Sequence, residues 1–240
     1  VRGGGVAVKE YRWELHLHTL ESSRCARSRA ADMVEAYHAL GFEGIVVTDH
    51  FVNGNSRAPA VAPWKTRIDG FLAGYRAARR AGEACGLRVL LGWEYYFEGG
   101  DFLTYGLDED FLYAHEHLAD LWDLADYVRL VREAGGCVVQ AHPFRTAWYM
   151  PPDVRQRWDV VDALEVYNGS HAPGKRDWDE RALALARRHR LPGIAGSDAH
   201  SLSMVNTGVM AFPSSISTGA DLVDAIRQGR GRLLRLAKDF

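Results

Sequence analysis

The stretch Gly44-Ile45-Val46-Val47-Thr48-Asp49-His50 is a short apolar run, rich in β-branched residues, that ends in polar ones. A strand covered on both faces has this composition, and its polar end marks the tip where side chains leave the sheet. Upstream, a helix is expected from Ser28 as N-cap through Met33, Val34, Tyr37 and Leu40 to Gly41 as its stop. The pattern then recurs. A helix from Asp69 to Cys85 leads into a strand from Arg88 to Glu94, and a strand-like Asp101 to Tyr105 follows with no helix between. A helix from Leu118 to Ala134, closed by Gly135 and Gly136, feeds Cys137 to Pro143. Next come Ala163 to Asn168, a helix from Trp178 to His189, the run Gly193 to His200, a strand from Gly208 to Phe212, and a helix from Ala220 to Gln228.

Repeated strand-helix units with apolar strands predict an α/β fold built on a parallel sheet. Seven or eight units in 240 residues fit a distorted (β/α)7 TIM-like barrel in a single domain better than an open doubly wound sheet. No GxGxxG follows the first strand, as a dinucleotide-binding open sheet would show. Residues 1–10, with three consecutive glycines, read as a flexible N-terminal segment, and residues 11–240 as the barrel. The turn-rich segment from Asn53 to Pro63 reads as a long loop over the strand tips.

Composition narrows the function classes. With 29 Lys+Arg against 31 Asp+Glu the net charge is −2, so no nucleic-acid footprint is visible. Apolar residues at 47% and charged ones at 25% exclude disordered, collagenous and coiled-coil classes. No run approaches the roughly 20 apolar residues of a membrane span, and the start has no secretory core. Cys25, Cys85 and Cys137 are far apart and form no CxxC, which suggests neither a disulfide framework nor a thiolate zinc knuckle, and points to a cytoplasmic protein.

The 10 histidines divide by position. Residues Tyr11 to His18 alternate, with Tyr11, Trp13, Leu15 and Leu17 apolar and Arg12, Glu14, His16 and His18 polar, so both histidines share one face of a strand. The polar strand ends contribute His16, His18, Asp49, His50, Glu94, Asp101, His142, Glu165, Asn168, Asp198 and His200. In a barrel these tips converge on one mouth. Desolvation and like-charge repulsion make such a cluster costly without cations, and mixed imidazole and carboxylate donors suit Zn, Mn or Fe.

His115 and His117 lie in a polar stretch away from any strand tip and are expected on a solvated face; His38 and His189 lie near helix ends, where a cation favours the dipole. His171 follows Asn168-Gly169 in a post-strand loop and could face the mouth as a general acid. Arg145, just after His142-Pro143-Phe144, is the first choice for holding an anionic substrate, followed by Lys175 and Arg176. Trp93, Tyr95, Tyr96, Trp148 and Tyr149 could line the mouth and stack on a base or sugar, or could be ordinary packing.

The set Leu15-His16-Leu17-His18-Thr19, Val47-Thr48-Asp49-His50, Gly92-Trp93-Glu94, Ala141-His142-Pro143 and Gly196-Ser197-Asp198-Ala199-His200 resembles the PHP (polymerase and histidinol phosphatase) family of metal-dependent phosphoesterases. The resemblance runs from about Tyr11 to Phe212. It implies two or three divalent metal ions (Zn, Mn or Fe) at the C-terminal mouth of the barrel. It also implies hydrolysis of phosphate esters. The strand-tip cluster suits a hydroxide made acidic by coordination as the nucleophile, and a small phosphomonoester is the favoured substrate, the mouth aromatics pointing toward a nucleotide or sugar phosphate. By that resemblance His16, His18, Glu94 and Asp198 match one metal site, His50 and His200 a second, and His142 with a bridging Glu94 a third. Asp101 falls where the family commonly has His. Ser23 and Arg24 fall where many members have Asp or His, leaving Glu21 as the nearest substitute ligand. An amidohydrolase-type deaminase or amidase is the alternative, but it often uses a carbamylated strand-end Lys, and no Lys lies at a strand tip here. A non-catalytic metal-binding module is the other alternative.

Overall fold

In the computed structural model, residues 9–121, 123–148, 150–151, 154–171 and 175–234 are described, apart from the Arg176 side chain. Nine strands form one sheet: β1 (Tyr11–Leu17), β2 (Gly44–Val47), β3 (Arg88–Phe97), β4 (Gly100–Tyr105), β5 (Cys137–Gln140), β6 (Ala163–Asn168), β7 (Gly193–Gly196), β8 (Val209–Phe212) and β9 (Arg232–Leu234). Among the described residues seven α-helices accompany them: α1 (Ala30–Ala39), α2 (Trp64–Phe71), α3 (Ala73–Cys85), α4 (Glu109–Ala114), α5 (Leu124–Glu133), α6 (Arg176–His189) and α7 (Gly219–Arg227). The order β7-β6-β5-β4-β3-β2-β1-β8-β9 curls until its two sides meet. At that seam Leu17 bridges Ala199, with His18 N donating to Ala199 O at 2.9 Å and Ala199 N to His16 O at 3.3 Å. The result is the expected nearly closed, distorted barrel.

Among the local departures from the sequence expectation, three shape the barrel. The helix expected from Asp69 to Cys85 is two helices, α2 and α3, that meet at Leu72. The strand following β3 returns antiparallel, because Glu98 (φ 47°) and Gly99 (φ 84°) form a two-residue turn of the left-handed kind that tight hairpins require. The first residues of β4 therefore lie at the mouth, which is why Asp101 can reach it.

The third concerns β1, whose pairing register with β2 slips between Glu14 and Leu17. Leu15 packs with Trp13, Leu103 and Val139, whereas Leu17 packs with Met33, Val34 and Tyr37. Such an irregularity re-aims side chains. His16 and His18 share a face as expected, but Glu14 does not share it. Its buried carboxylate accepts from Tyr37 Oη (2.7 Å) and from the amides of His16 and Ser197 (2.9 Å each).

Ser28 does not cap α1. Arg29 occupies that position, and Ser28 Oγ instead accepts from Leu202 N at 3.0 Å. Trp93 and Tyr95 are fully buried core residues rather than mouth aromatics: Trp93 Nε1 donates to Tyr127 Oη (2.7 Å), and the Tyr95 ring stacks on Tyr127 at 3.9 Å. Tyr96 and Trp148 are exposed. Tyr149 and residues 1–8 lie outside the described residues.

Candidate metal centre

The strand tips converge as expected. Among the described residues, four sets of side chains bring donor atoms within 4.8 Å of one another: His18, His50 and His200; His16, His18 and Glu94; His16, His142 and Asp198; and His50, Glu94 and Asp101. The sets share members, so they form one continuous centre. His16, His18, Glu94 and Asp198 are buried at its floor, and His50, Asp101 and His200 are partly exposed at its rim.

The contacts inside crowd imidazole nitrogens and carboxylate oxygens together. His16 Nε2 and His18 Nε2 lie 3.2 Å apart, and the His18 ring stacks on both His50 (4.5 Å) and His200 (4.4 Å). Asp198 Oδ1 is 3.2 Å from His18 Nε2 and 3.4 Å from His16 Nε2. Glu94 lies between the imidazoles, with Oε1 at 3.3 Å from both His16 and His142. Its Oε2 is buried without a hydrogen bond of normal geometry, although His50 Nδ1 is 2.8 Å away. An orphaned carboxylate oxygen among converging lone pairs fits divalent cations, which would replace the missing hydrogen bonds by coordination.

Electrostatics agree with that fit. Burial, reinforced by His200 and His50, pushes the His18 pKa down to about 3. Burial also opposes the charges on Glu94 and Asp198, yet the surrounding imidazoles outweigh it and hold both carboxyls well below their usual range. At Asp101, burial and the neighbouring Glu94 charge raise the pKa to about 6. His142 (φ 28°) and Asp198 (φ 49°) occupy left-handed backbone that non-glycine residues rarely adopt, so local strain is concentrated at the centre.

A second layer orients these groups. Glu165 accepts from His16 Nδ1, the His142 amide and Asn168 Nδ2, each at 2.9 Å. Asp49 is buried at the tip of β2, but it turns away from the donors. It accepts from Thr19 N (2.7 Å), Thr19 Oγ1 (2.5 Å) and Ser23 Oγ (2.6 Å) and so fixes the loop after β1.

Glu21 does not join the centre. Both its oxygens accept from Ala30 N (3.0 and 3.2 Å), so it caps α1, a task that competes with ligation. His115 and His117 stand elsewhere, His115 Nδ1 bonding Phe111 O at 2.7 Å. His38 is exposed in the last turn of α1, and His189 stacks on Trp158. Arg145 reaches the rim, its Nη1 donating to Asp198 Oδ2 at 3.0 Å. His171 Nδ1 lies 2.9 Å from Asp179 Oδ1, while its Nε2 is buried with no hydrogen-bond partner among the described residues. Ser170 Oγ, next in sequence to His171, donates to Asp198 Oδ2 at 2.9 Å. Lys175 is exposed over Trp178, and the Arg176 side chain lies outside the described residues.

The sequence reading missed Glu14 and Cys25. Cys25 lies in hydrogen-bond reach of His50 and His200. Burial opposes its ionisation, but the two rings bring its pKa down to about 6.

Residues 14–147 match the PHP domain family, and residues 177–230 match the PHP-associated family. The chain belongs to the PHP domain family. Among solved structures it is similar to a Bifidobacterium adolescentis protein inferred to be a metal-dependent phosphoesterase (20% identity, 89% of this chain and 94% of that one, TM-score 0.55). It is also similar to a two-domain protein of Bacteroides vulgatus containing a predicted PHP-like metal-dependent phosphoesterase (16% identity, TM-score 0.67). There the match covers 95% of this chain and 65% of that one. A third likeness is to the lesion-specific endonuclease of Pyrococcus furiosus (13% identity, 94% of this chain and 58% of that one, TM-score 0.64). At such identities these likenesses concern the fold. No curated protein matches the chain in sequence. As a PHP chain it is metal-dependent and phosphoesterase-like, and its clustered His, Glu and Asp side chains are able to hold metal. Among the described residues no helix is long and apolar enough to cross a membrane.

Proposed function

We propose that this protein is a hydrolase of small phosphomonoesters, a nucleotide or sugar phosphate among them, and that His16, His18, His50, Glu94, Asp101, His142, Asp198 and His200 hold two or three divalent ions (Zn, Mn or Fe). The observation that supports this most strongly is the buried Glu94 carboxylate, with donors of His16, His50 and His142 around it and one oxygen left without a hydrogen bond. When bound, the ions supply Lewis acidity toward a phosphoryl oxygen and an acidified water as nucleophile.

The chain's own side chains do the rest. Arg145, about a quarter exposed beside Asp198, presents its guanidinium where a phosphoryl oxygen would arrive, and a planar fork suits that anion better than an ammonium. Asp179 holds His171 by Nδ1 and leaves Nε2 unengaged, an arrangement suited to delivering a proton to the departing alcohol. Glu165 keeps His16 oriented. An amidohydrolase with a bridging lysine is disfavoured, because Lys9, Lys65 and Lys175, the described lysines, lie over Tyr11, beside Asp69 and over Trp178.

The test is Glu94→Gln, assayed on p-nitrophenyl phosphate with added Mn alongside elemental analysis. Both bound metal and turnover are expected to disappear. Full activity in that variant, or metal-loaded wild-type protein inert on every phosphate ester, would overturn the proposal.

A further inference from the structure

The loop after β1 is tied to the strand tips on two sides. Ser23 Oγ accepts from His50 N at 3.0 Å, and Arg27 N donates to His200 O at 2.7 Å. Between them Ala26 N bonds Ser23 O at 3.3 Å, closing a tight turn over residues 23–26. Arg24 N bonds Asn55 O and Arg57 N bonds Ser22 O, so the loop also pairs with the segment after β2. This anchoring leaves Cys25 little freedom and sets it in the turn held between His50 N and His200 O, where both rings act on its thiol.

Those two rings and His18 form the one ligand set that contains no carboxylate. His200 Nδ1 is committed to Asp198 O at 2.8 Å, so its lone pair for a cation is on Nε2. Glu94 Oε2, buried without a hydrogen bond of normal geometry, lies beside that set, 2.8 Å from His50 Nδ1 and 3.5 Å from His18 Nε2. The three imidazoles themselves bring no negative charge to a divalent cation, and a thiolate adds one within the set.

We propose that Cys25 is a thiolate ligand of the metal ion held by His50 and His200, making this end of the centre a nitrogen-sulfur site that prefers zinc to manganese. The proposal rests on the metal-binding assignment above. Binding releases the thiol proton to solvent, so the neutral cysteine becomes the anionic donor. Soft sulfur widens the preference for Zn over Mn that imidazole donors already give, whereas hard carboxylate donors narrow it.

Cobalt(II) titration of the whole chain tests it. Expected is a near-ultraviolet sulfur-to-cobalt charge-transfer band that Cys25→Ala removes and Cys85→Ala leaves intact, with the affinity of the last zinc equivalent falling by at least about 10–100-fold in Cys25→Ala. Cys25→Asp should keep that metal equivalent, lack the band, and shift preference toward manganese. A measurement on the unmutated chain covers a variant that fails to fold: zinc should slow alkylation of Cys25, mapped by mass spectrometry, at least about tenfold, and leave Cys85 unchanged. Cobalt bound with no sulfur band, or zinc bound with Cys25 alkylated as fast as in the metal-free protein, overturns the role of Cys25 while sparing the metal centre. Absence of any bound cobalt or zinc overturns both.

Discussion

Glu165 Oε1 lies 2.9 Å from His16 Nδ1, and that contact decides which nitrogen of His16 faces the centre. With Nδ1–H committed to the carboxylate, Nε2 is the atom left facing Glu94 and Asp198, at 3.3 and 3.4 Å. Glu165→Ala is therefore expected to weaken metal binding about 10–100-fold, the usual effect of losing an outer partner of a ligating histidine. Competition with a chromophoric chelator measures it, and an unchanged affinity would show that His16 needs no such support.

Arg145 donates to Asp198 Oδ2 and carries no donor lone pair for a cation, so its effect should fall on substrate rather than on metal. Arg145→Ala is expected to lower kcat/KM on a phosphomonoester about 10²–10³-fold, with metal content retained. Arg145→Lys should recover only part of the loss, since an ammonium cannot make the paired contact.

His171 carries a sharper signature. If its Nε2 protonates the leaving alcohol, His171→Asn should slow turnover of an alkyl phosphate about 10²–10⁴-fold. p-Nitrophenyl phosphate, whose phenolate leaves unaided, should be nearly unaffected. Equal losses on the two substrates would reduce His171 to a packing role.

Much of this centre is legible from the chain alone, because a buried parallel strand is an apolar run that ends abruptly in polar residues. His50, His142, Asp198 and His200 sit just past such ends, whereas Glu94 lies inside β3, which runs on to Phe97. What escaped depends on contacts distant in sequence. Cys25 is placed by Ser23 bonding to Asp49 and His50 and by Arg27 bonding to His200. No local spacing encodes those bonds, and Glu21, nearer in sequence, caps a helix instead. The Glu14 position follows from a register slip that strict alternation cannot show. Trp93 and Tyr95 lie on the same strand as Glu94, yet they serve the core around Tyr127.

Away from the centre, Asp69 gives a test of pH dependence. Hydrogen bonds from Lys65 and Tyr113, joined by Arg76 against a small opposing effect of burial, hold its carboxyl well below the ordinary value. In the acid range the unfolded chain then binds more protons than the folded one, so stability rises with pH there. The contribution is complete above about pH 4 and is lost as pH falls through the folded-state value. Asp69→Asn should lower Tm only slightly at pH 7, because the group is solvent-screened. The two melting curves should converge on acidification; a gap that widens toward low pH would contradict this assignment.

The seam between β1 and β7 gives the ligand geometry a mechanical meaning. His16 and His18 stand on one side of it and Asp198 and His200 on the other, while the backbone joins the two sides through little more than the Leu17–Ala199 bridge. A cation held from both sides, as proposed, would act as a clasp on the barrel wall. Loading the centre and shutting the cylinder would then be one linked equilibrium, with the concentration of free ion setting how firmly the wall stays shut.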